Sequence, residues 1–287
     1  MNLRTTLSAA VLVLAVATGP ATAQDRPGWP PAWSAPQAPF RLIGNVYEVG
    51  SAGLTALLVT TPKGHVLLDA GMPEFAPQVA KNIEALGFKP TDVRWILNSH
   101  AHFDHSGGFA ELKRITGARL AAAGPDREWL ERGVYPGDEG NAFVKFPPVK
   151  VDRVLKDGDT VILGGVTLTA HLTPGHTPGD TSLTFPVREG GRTLRVIYYG
   201  STSVAANRLA PRPSYPGIVA DYRRTFAKLR TMKADVFLAP HPEQFGLAEK
   251  RAKGLPAALI DPAELARRVA ASKADFDKEL AKQEGAR

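Results

Sequence analysis

The sequence predicts an α/β protein in which two β-sheets pack together with helices outside them. Three observations point there. Helical runs occur early, in the middle and late, with antiparallel-looking strand runs between them, and no linker or 20–50-residue repeat divides the chain. The third is composition: 44% hydrophobic, 22% charged and 8% aromatic residues over 287 positions describe a soluble globular protein with enough chain for a large core. Cysteine is absent, which excludes disulfide scaffolds, cysteine nucleophiles and cysteine-bound zinc. Any metal must be held by imidazole and carboxylate. The net charge of +7 is scattered, without the basic clusters and interleaved aromatics of a nucleic-acid groove, so no nucleic-acid partner is expected.

Residues 1–23 combine an early cation (Arg4), an apolar run from Leu7 to Ala17 and the small residues Ala21-Thr22-Ala23. They read as a secretory signal cleaved near Ala23–Gln24, which places the mature protein in a periplasm. No other stretch reaches the ~20 apolar residues of a spanning helix, so no stable membrane anchoring is expected. Residues 24–40, rich in Pro and Trp, read as an extended arm, leaving 41–287 as the folded domain.

From Phe40 the pattern turns apolar and β-branched, and residues 54–71 read as a hairpin with its turn at Pro62-Lys63-Gly64. Val79, Ile83 and Leu86 have helical spacing within 75–86, with Gly87 as the stop. A short buried strand over 93–97 leads into a polar, glycine-ended loop from Asn98 to Gly108. A helix over 109–115, a strand over 118–123 and a short helix over 126–132 capped by Asp126 follow. Residues 133–150 read as a long loop in which Phe143 and Phe146 could overhang a pocket. Strands are expected near 152–155, 159–163, 166–172, 180–186 and 194–200. A helix near 218–231, a strand at 235–239 and helices near 245–253 and 262–283 complete the chain.

The chemistry concentrates in Asn98-Ser99-His100-Ala101-His102-Phe103-Asp104-His105-Ser106-Gly107-Gly108. Three of the seven histidines fall in six consecutive residues there. His100 and His102 are two apart, so an extended backbone points both to one side. Asp104 and His105 follow where the chain turns and can serve a neighbouring point. His176, in Thr173-Pro174-Gly175-His176-Thr177-Pro178-Gly179, and His241, in Ala239-Pro240-His241-Pro242, stand at similar strand-to-loop junctions. His100, His102 and His176 would make one metal site, and Asp104, His105 and His241 a second. Three protein ligands per ion leave the open position that catalysis needs. His65, beside a hairpin turn, and His171, within a strand, read as structural.

The HAHFDH segment, the PGHTPG turn and the late PHP turn resemble the metallo-β-lactamase superfamily. That resemblance implies an αββα sandwich with its active site at one edge of two packed mixed sheets. Glyoxalase II enzymes and lactonases of that superfamily place a metal-bridging aspartate where this chain has Ser201, after Val196-Ile197-Tyr198-Tyr199-Gly200. A hydroxyl is a poor substitute for an anionic bridge. Ser201, His105 after Asp104, the missing cysteine and the segments Tyr215-Pro216 and Asp221–Phe226 resemble the third subclass (B3) of class B zinc β-lactamases.

The resemblance implies two zinc ions and a metal-bound hydroxide that opens the β-lactam ring of penicillins, cephalosporins and carbapenems. It also implies Asp104 orienting that hydroxide as catalytic residue, Ser201 and Ser203 binding the substrate carboxylate, and a role in β-lactam resistance. The substrate is then a small molecule, and the protein is expected to act as a monomer. Two alternatives stay open: another hydrolase of this fold, acting on a lactone, thioester or phosphate ester, and a non-catalytic exported zinc-binding protein.

Overall fold

The computed structural model describes residues 29–135 and 137–285, so the expected signal at 1–23 and residues 24–28 of the arm lie outside the described residues. The chain runs through β1 (Phe40–Ile43), β2 (Val46–Glu48), β3 (Leu57–Thr61) and β4 (Gly64–Leu68) as an antiparallel meander. It continues in parallel through β5 (Val93–Leu97), β6 (Arg119–Ala123) and β7 (Arg153–Leu155), which closes a seven-stranded sheet in sequence order. The second sheet holds β8 (Thr160–Leu163), β9 (Val166–Leu172), β10 (Thr181–Glu189), β11 (Arg192–Tyr198) and β12 (Val236–Leu238). Its spatial order is β12-β11-β10-β9-β8, and within it β11 and β12 run parallel.

Side-chain alternation sets the layers. Leu57, Val59, Val66 and Leu68 face one side of the first sheet and share a core with Leu168, Ala170, Leu183 and Phe185 of the second. Leu58, Leu67, Ile96 and Leu120 face the other side. There they meet Val79 and Ile83 of α1 (Ala76–Ala85), with α2 (Phe103–Ser106) following in the chain, Leu112 of α3 (Phe109–Thr116) and Leu130 of α4 (Gly124–Arg132). On the second sheet, Phe226 of α5 (Ile218–Leu229), with α6 (Leu247–Lys253) following, joins Phe276 of α7 (Glu264–Gly285) against the apolar strands. The result is an αββα sandwich. The strands buried on both faces are the ones whose sequence is continuously apolar, such as Leu57-Leu58-Val59.

Four local differences from the sequence reading have physical causes. Within the arm, Pro31–Trp33 forms a 3-10 turn, for which the fixed φ of consecutive prolines is suited, and Phe40 already belongs to β1. The 98–108 loop contains the one-turn helix α2, entered from extended His102. Helix α4 begins at Gly124 with a proline in its first turn, so Asp126 lies inside the helix and is fully buried rather than capping it. The β10–β11 hairpin is longer than the apolar alternation signals, because the added positions Arg188, Arg192 and Thr193 are polar and exposed.

Strand direction brings the functional loops together. The turn between antiparallel β9 and β10, the exit of β11 and the exit of β12 parallel to it share one end of the second sheet. The exit of β5 meets that end, where the Thr181 N–H donates to the Ser99 carbonyl at 2.8 Å.

Candidate metal centre

His100 and His102 follow β5 across a bend at Ala101, where the His102 N–H donates to the His100 carbonyl at 3.0 Å, and His176 is delivered by the β9–β10 turn. The three rings stand edge to face, with centres 4.8, 4.7 and 4.4 Å apart. All three residues are buried, and the Nε2 atoms of His100 and His102 have no hydrogen-bond partner. Orphaned buried imidazole nitrogens are costly unless something else satisfies them. The His176 Nδ1–H donates to the Ser203 carbonyl at 2.8 Å, which leaves Nε2 free as an acceptor.

Asp104 and His105, on α2, meet His241 from the loop after β12. His105 Nε2 and His241 Nε2 are 3.1 Å apart, and Asp104 Oδ2 lies 3.1 Å from the first and 3.6 Å from the second. Two donors at ~2.0–2.1 Å from one tetrahedral ion would be roughly 3.3 Å apart, so the spacing suits a cation shared among the three. The rings of His100 and His105 are 4.4 Å apart, so the two three-donor groups abut. Their donor chemistry, imidazole with carboxylate, fits a metal ion.

Electrostatics separates the six. Burial and neighbouring imidazoles push His100 and His102 well below the usual histidine range, and burial lowers His176 and His241 to about 4. Burial also works against ionisation of Asp104 and His105. Their mutual attraction, with a hydrogen bond between them, outweighs it and favours the charged form of both.

Buried carboxylates lie behind the ligand loops. Asp69 accepts from the Ser99 N–H (2.8 Å), the Ser99 hydroxyl (2.6 Å) and the Tyr198 hydroxyl (2.7 Å), and the Ser99 hydroxyl oxygen is 3.0 Å from His100 Nδ1. Asp180 accepts from Thr173 and from the Ser201 N–H, both at 2.8 Å, with one oxygen 3.8 Å from His100 Nδ1. Asp126 accepts from the Ala101 N–H and the Thr177 hydroxyl (2.8 Å each) and the Gly179 N–H (2.7 Å). Burial raises the pKa of Asp126 to about 6, and burial with the charges of Asp126 and Asp69 raises that of Asp180 well above normal.

Helix α5 buttresses the His176 turn. The Tyr222 hydroxyl donates to the Ser203 carbonyl (2.7 Å), Thr225 to the Pro174 carbonyl (2.7 Å) and Tyr215, just before the helix, to the Gly175 carbonyl (3.1 Å). Gly175 has φ +148°, and a Cβ there would lie 2.7 Å from the Tyr222 ring, so both conformation and contact require glycine.

Ser201 is buried and Ser203 exposed, with hydroxyl oxygens 3.2 Å apart, and the Ser203 hydroxyl is 3.3 Å from His176 Nδ1. In the 133–150 loop, Phe143 is exposed and Phe146 is buried in the outer core. Among the described residues of that loop, Tyr135 meets the site, stacked on His102 with ring centres 4.0 Å apart. His65 packs on Phe88 and His171 meets the Thr184 hydroxyl at 2.8 Å, both outside the two groups.

Comparison with known proteins adds to this geometry. The family model of the metallo-beta-lactamase superfamily matches residues 53–241. The fold is similar to BJP-1, a subclass B3 metallo-beta-lactamase of Bradyrhizobium japonicum, at 50% identity and TM-score 0.87, covering 89% of this chain and 98% of that one. It is also similar to the FEZ-1 metallo-beta-lactamase from Legionella gormanii, at 35% identity and TM-score 0.83, covering 88% and 98%. An N-acyl homoserine lactonase of Bacillus cereus is 28% identical over 167 residues, 49% of this chain. The chain spans only 61% of that lactonase's length.

Proposed function

The chain belongs to the metallo-β-lactamase superfamily, and from that premise we propose that it is a two-zinc hydrolase of the B3 kind that opens the β-lactam ring of penicillins, cephalosporins and carbapenems. Zinc is the metal that a pair of three-donor imidazole and carboxylate groups with open positions suits best. His100, His102 and His176 would hold one ion, and Asp104, His105 and His241 the other. When bound, zinc lowers the pKa of a coordinated water toward ~7 and polarises a carbonyl oxygen.

The protein's own groups then have distinct tasks. Asp104, kept ionised at the junction of the two groups, orients the attacking water. The exposed Ser203 hydroxyl donates to the substrate carboxylate, and Ser201, whose oxygen lies 3.2 Å from it, steadies that hydroxyl. Tyr135 covers one face of His102 and narrows water access from that side. Residues 1–23 support export to a periplasm, where an enzyme of this kind would confer resistance.

Ser201 is the observation that carries the choice of substrate. A bridging acid would favour lactone or thioester hydrolysis, and position 201 offers a hydroxyl whose own backbone N–H is held by Asp180. The test is absorbance-monitored ring opening of a carbapenem, a cephalosporin and a penicillin by the mature, zinc-loaded protein. Turnover abolished by a chelator and restored by zinc is expected. If the folded, loaded protein opens an acyl homoserine lactone and no β-lactam, the likeness to the lactonases becomes the better guide.

A further inference from the structure

Asp126 is in neither three-donor group, yet the loops that deliver His100, His102 and His176 meet on its carboxylate. Its Oδ2 accepts from the Ala101 N–H, between His100 and His102, and from the hydroxyl of Thr177, the residue after His176. Its Oδ1 accepts from the Gly179 N–H at the end of the same turn. All the partners are donors, so the position calls for a group that only accepts. An amide would turn its NH2 against at least one N–H or hydroxyl. The fit is also tight: a Cβ on Gly179 would sit 2.6 Å from the Asp126 carboxyl carbon, so the turn's backbone comes directly onto the carboxylate. Helix α4, anchored by buried Leu130 in the outer core, supplies a rigid mount.

We propose that Asp126 is a positioning residue for the three-histidine group, fixing the separation of the His100–His102 strand exit from the His176 turn. The inference rests on the reading of those histidines as metal ligands. A buried aspartate that served folding alone would affect stability and leave the two groups equally competent. A positioning residue affects one group selectively, because Asp104, His105 and His241 make no hydrogen bond to it.

The test is metal binding rather than turnover. Wild type, D126N, T177V and G179A are titrated with cobalt(II) and with zinc against a chromophoric chelator. The two groups are told apart by cobalt spectra, since three imidazoles differ from two imidazoles and a carboxylate. For folded D126N, affinity at the three-histidine group should fall by about 10- to 100-fold, the range typical when a partner that orients metal ligands is removed. The other group should bind as in wild type. T177V, which removes one of the donors, should shift the same group in the same direction by a smaller factor, and G179A should do so by displacing the carboxylate.

A folded D126N with a lowered Tm but unchanged affinity at both groups would overturn the proposal. If D126N does not fold, T177V decides, and an unchanged three-histidine affinity overturns it equally. A wild-type protein that binds no metal fails the ligand reading itself, and the inference falls with it. The wild-type titration distinguishes that result.

Discussion

At the residue scale, His105 differs from the other histidines of the two groups in the direction its charge is pushed. Its pKa is raised by Asp104 and Asp69 against the effect of burial, whereas His176 and His241 are lowered to about 4 and His100 and His102 well below normal. A metal ligand must be the neutral imidazole, so a proton held on His105 has to leave when an ion enters its group. The sign follows. Above its raised pKa His105 is already neutral and uptake costs no proton. As pH falls through that value, affinity of the Asp104–His105–His241 group weakens. The histidines of the other group, His176 lowered to about 4 and His100 and His102 pushed well below normal, are already neutral there, so that group should hold its affinity across the same range. Calorimetric zinc titrations at pH 6.5 in buffers of different ionisation enthalpy should therefore show more proton release for the ion of the Asp104–His105–His241 group than for the other. Equal release at both groups would contradict the assignment. The six donors were legible in the sequence because three histidines crowd into six residues and two more follow apolar strands. Asp69, Asp126 and Asp180 were not. Asp126 reads as a helix cap, Asp69 and Asp180 fall inside expected strand stretches with nothing to single them out, and Asp126 shows its role only through partners 25 to 53 positions away.

At the scale of elements, the arm does more than its proline content suggests. Trp33 stacks on Trp29 (5.5 Å between ring centres), lies 6.2 Å from Phe103 and stands 5.5 Å from the ring of His241. The arm is pinned by the Gly53 N–H to the Ala32 carbonyl at 2.8 Å and by Ser34 to Glu74 at 2.8 Å. It therefore forms one wall beside the Asp104–His105–His241 group. Trp33→Ala removes aromatic contact area there and should destabilise the protein by about 1–2 kcal/mol. Because His241 loses a ring that restrains it, metal affinity of its own group should fall by more than that of the three-histidine group. Thermal denaturation with a parallel cobalt titration checks both, and equal losses at the two groups would reduce Trp33 to a packing residue. The hairpins and amphipathic helices were legible because their signals are local: apolar runs on either side of the Pro62-Lys63-Gly64 turn in 57–68 and helical spacing in 76–85. The arm's docking and the support that α5 gives the His176 turn are set by tertiary contacts, such as Tyr222 to Ser203, that no local pattern encodes.

For the whole molecule, the donor groups act where the two sheets meet. His100 and His102 come from the first sheet and His176 from the second, while Asp104 and His105 on α2 face His241 from the exit of β12. An ion in either group therefore joins the two halves of the sandwich, at the edge where the Thr181–Ser99 backbone bond already links them. Without a cation, the same edge concentrates unpartnered imidazole nitrogens above the buried carboxylates of Asp69, Asp126 and Asp180. A ligand that binds only the folded state adds RT ln(1 + [L]/Kd), about 2.7 kcal/mol when free metal is a hundredfold above Kd. At about 2–4 °C per kcal/mol for domains near this size, chelation should lower Tm by about 5–10 °C for each ion removed. Differential scanning calorimetry at fixed pH, with and without chelator and then with zinc restored, measures this directly. Two steps in Tm against added zinc would show both groups stabilising the sandwich. A Tm indifferent to zinc would mean that the loops hold their geometry through hydrogen bonds alone, with the buried carboxylates sufficient to join the sheets.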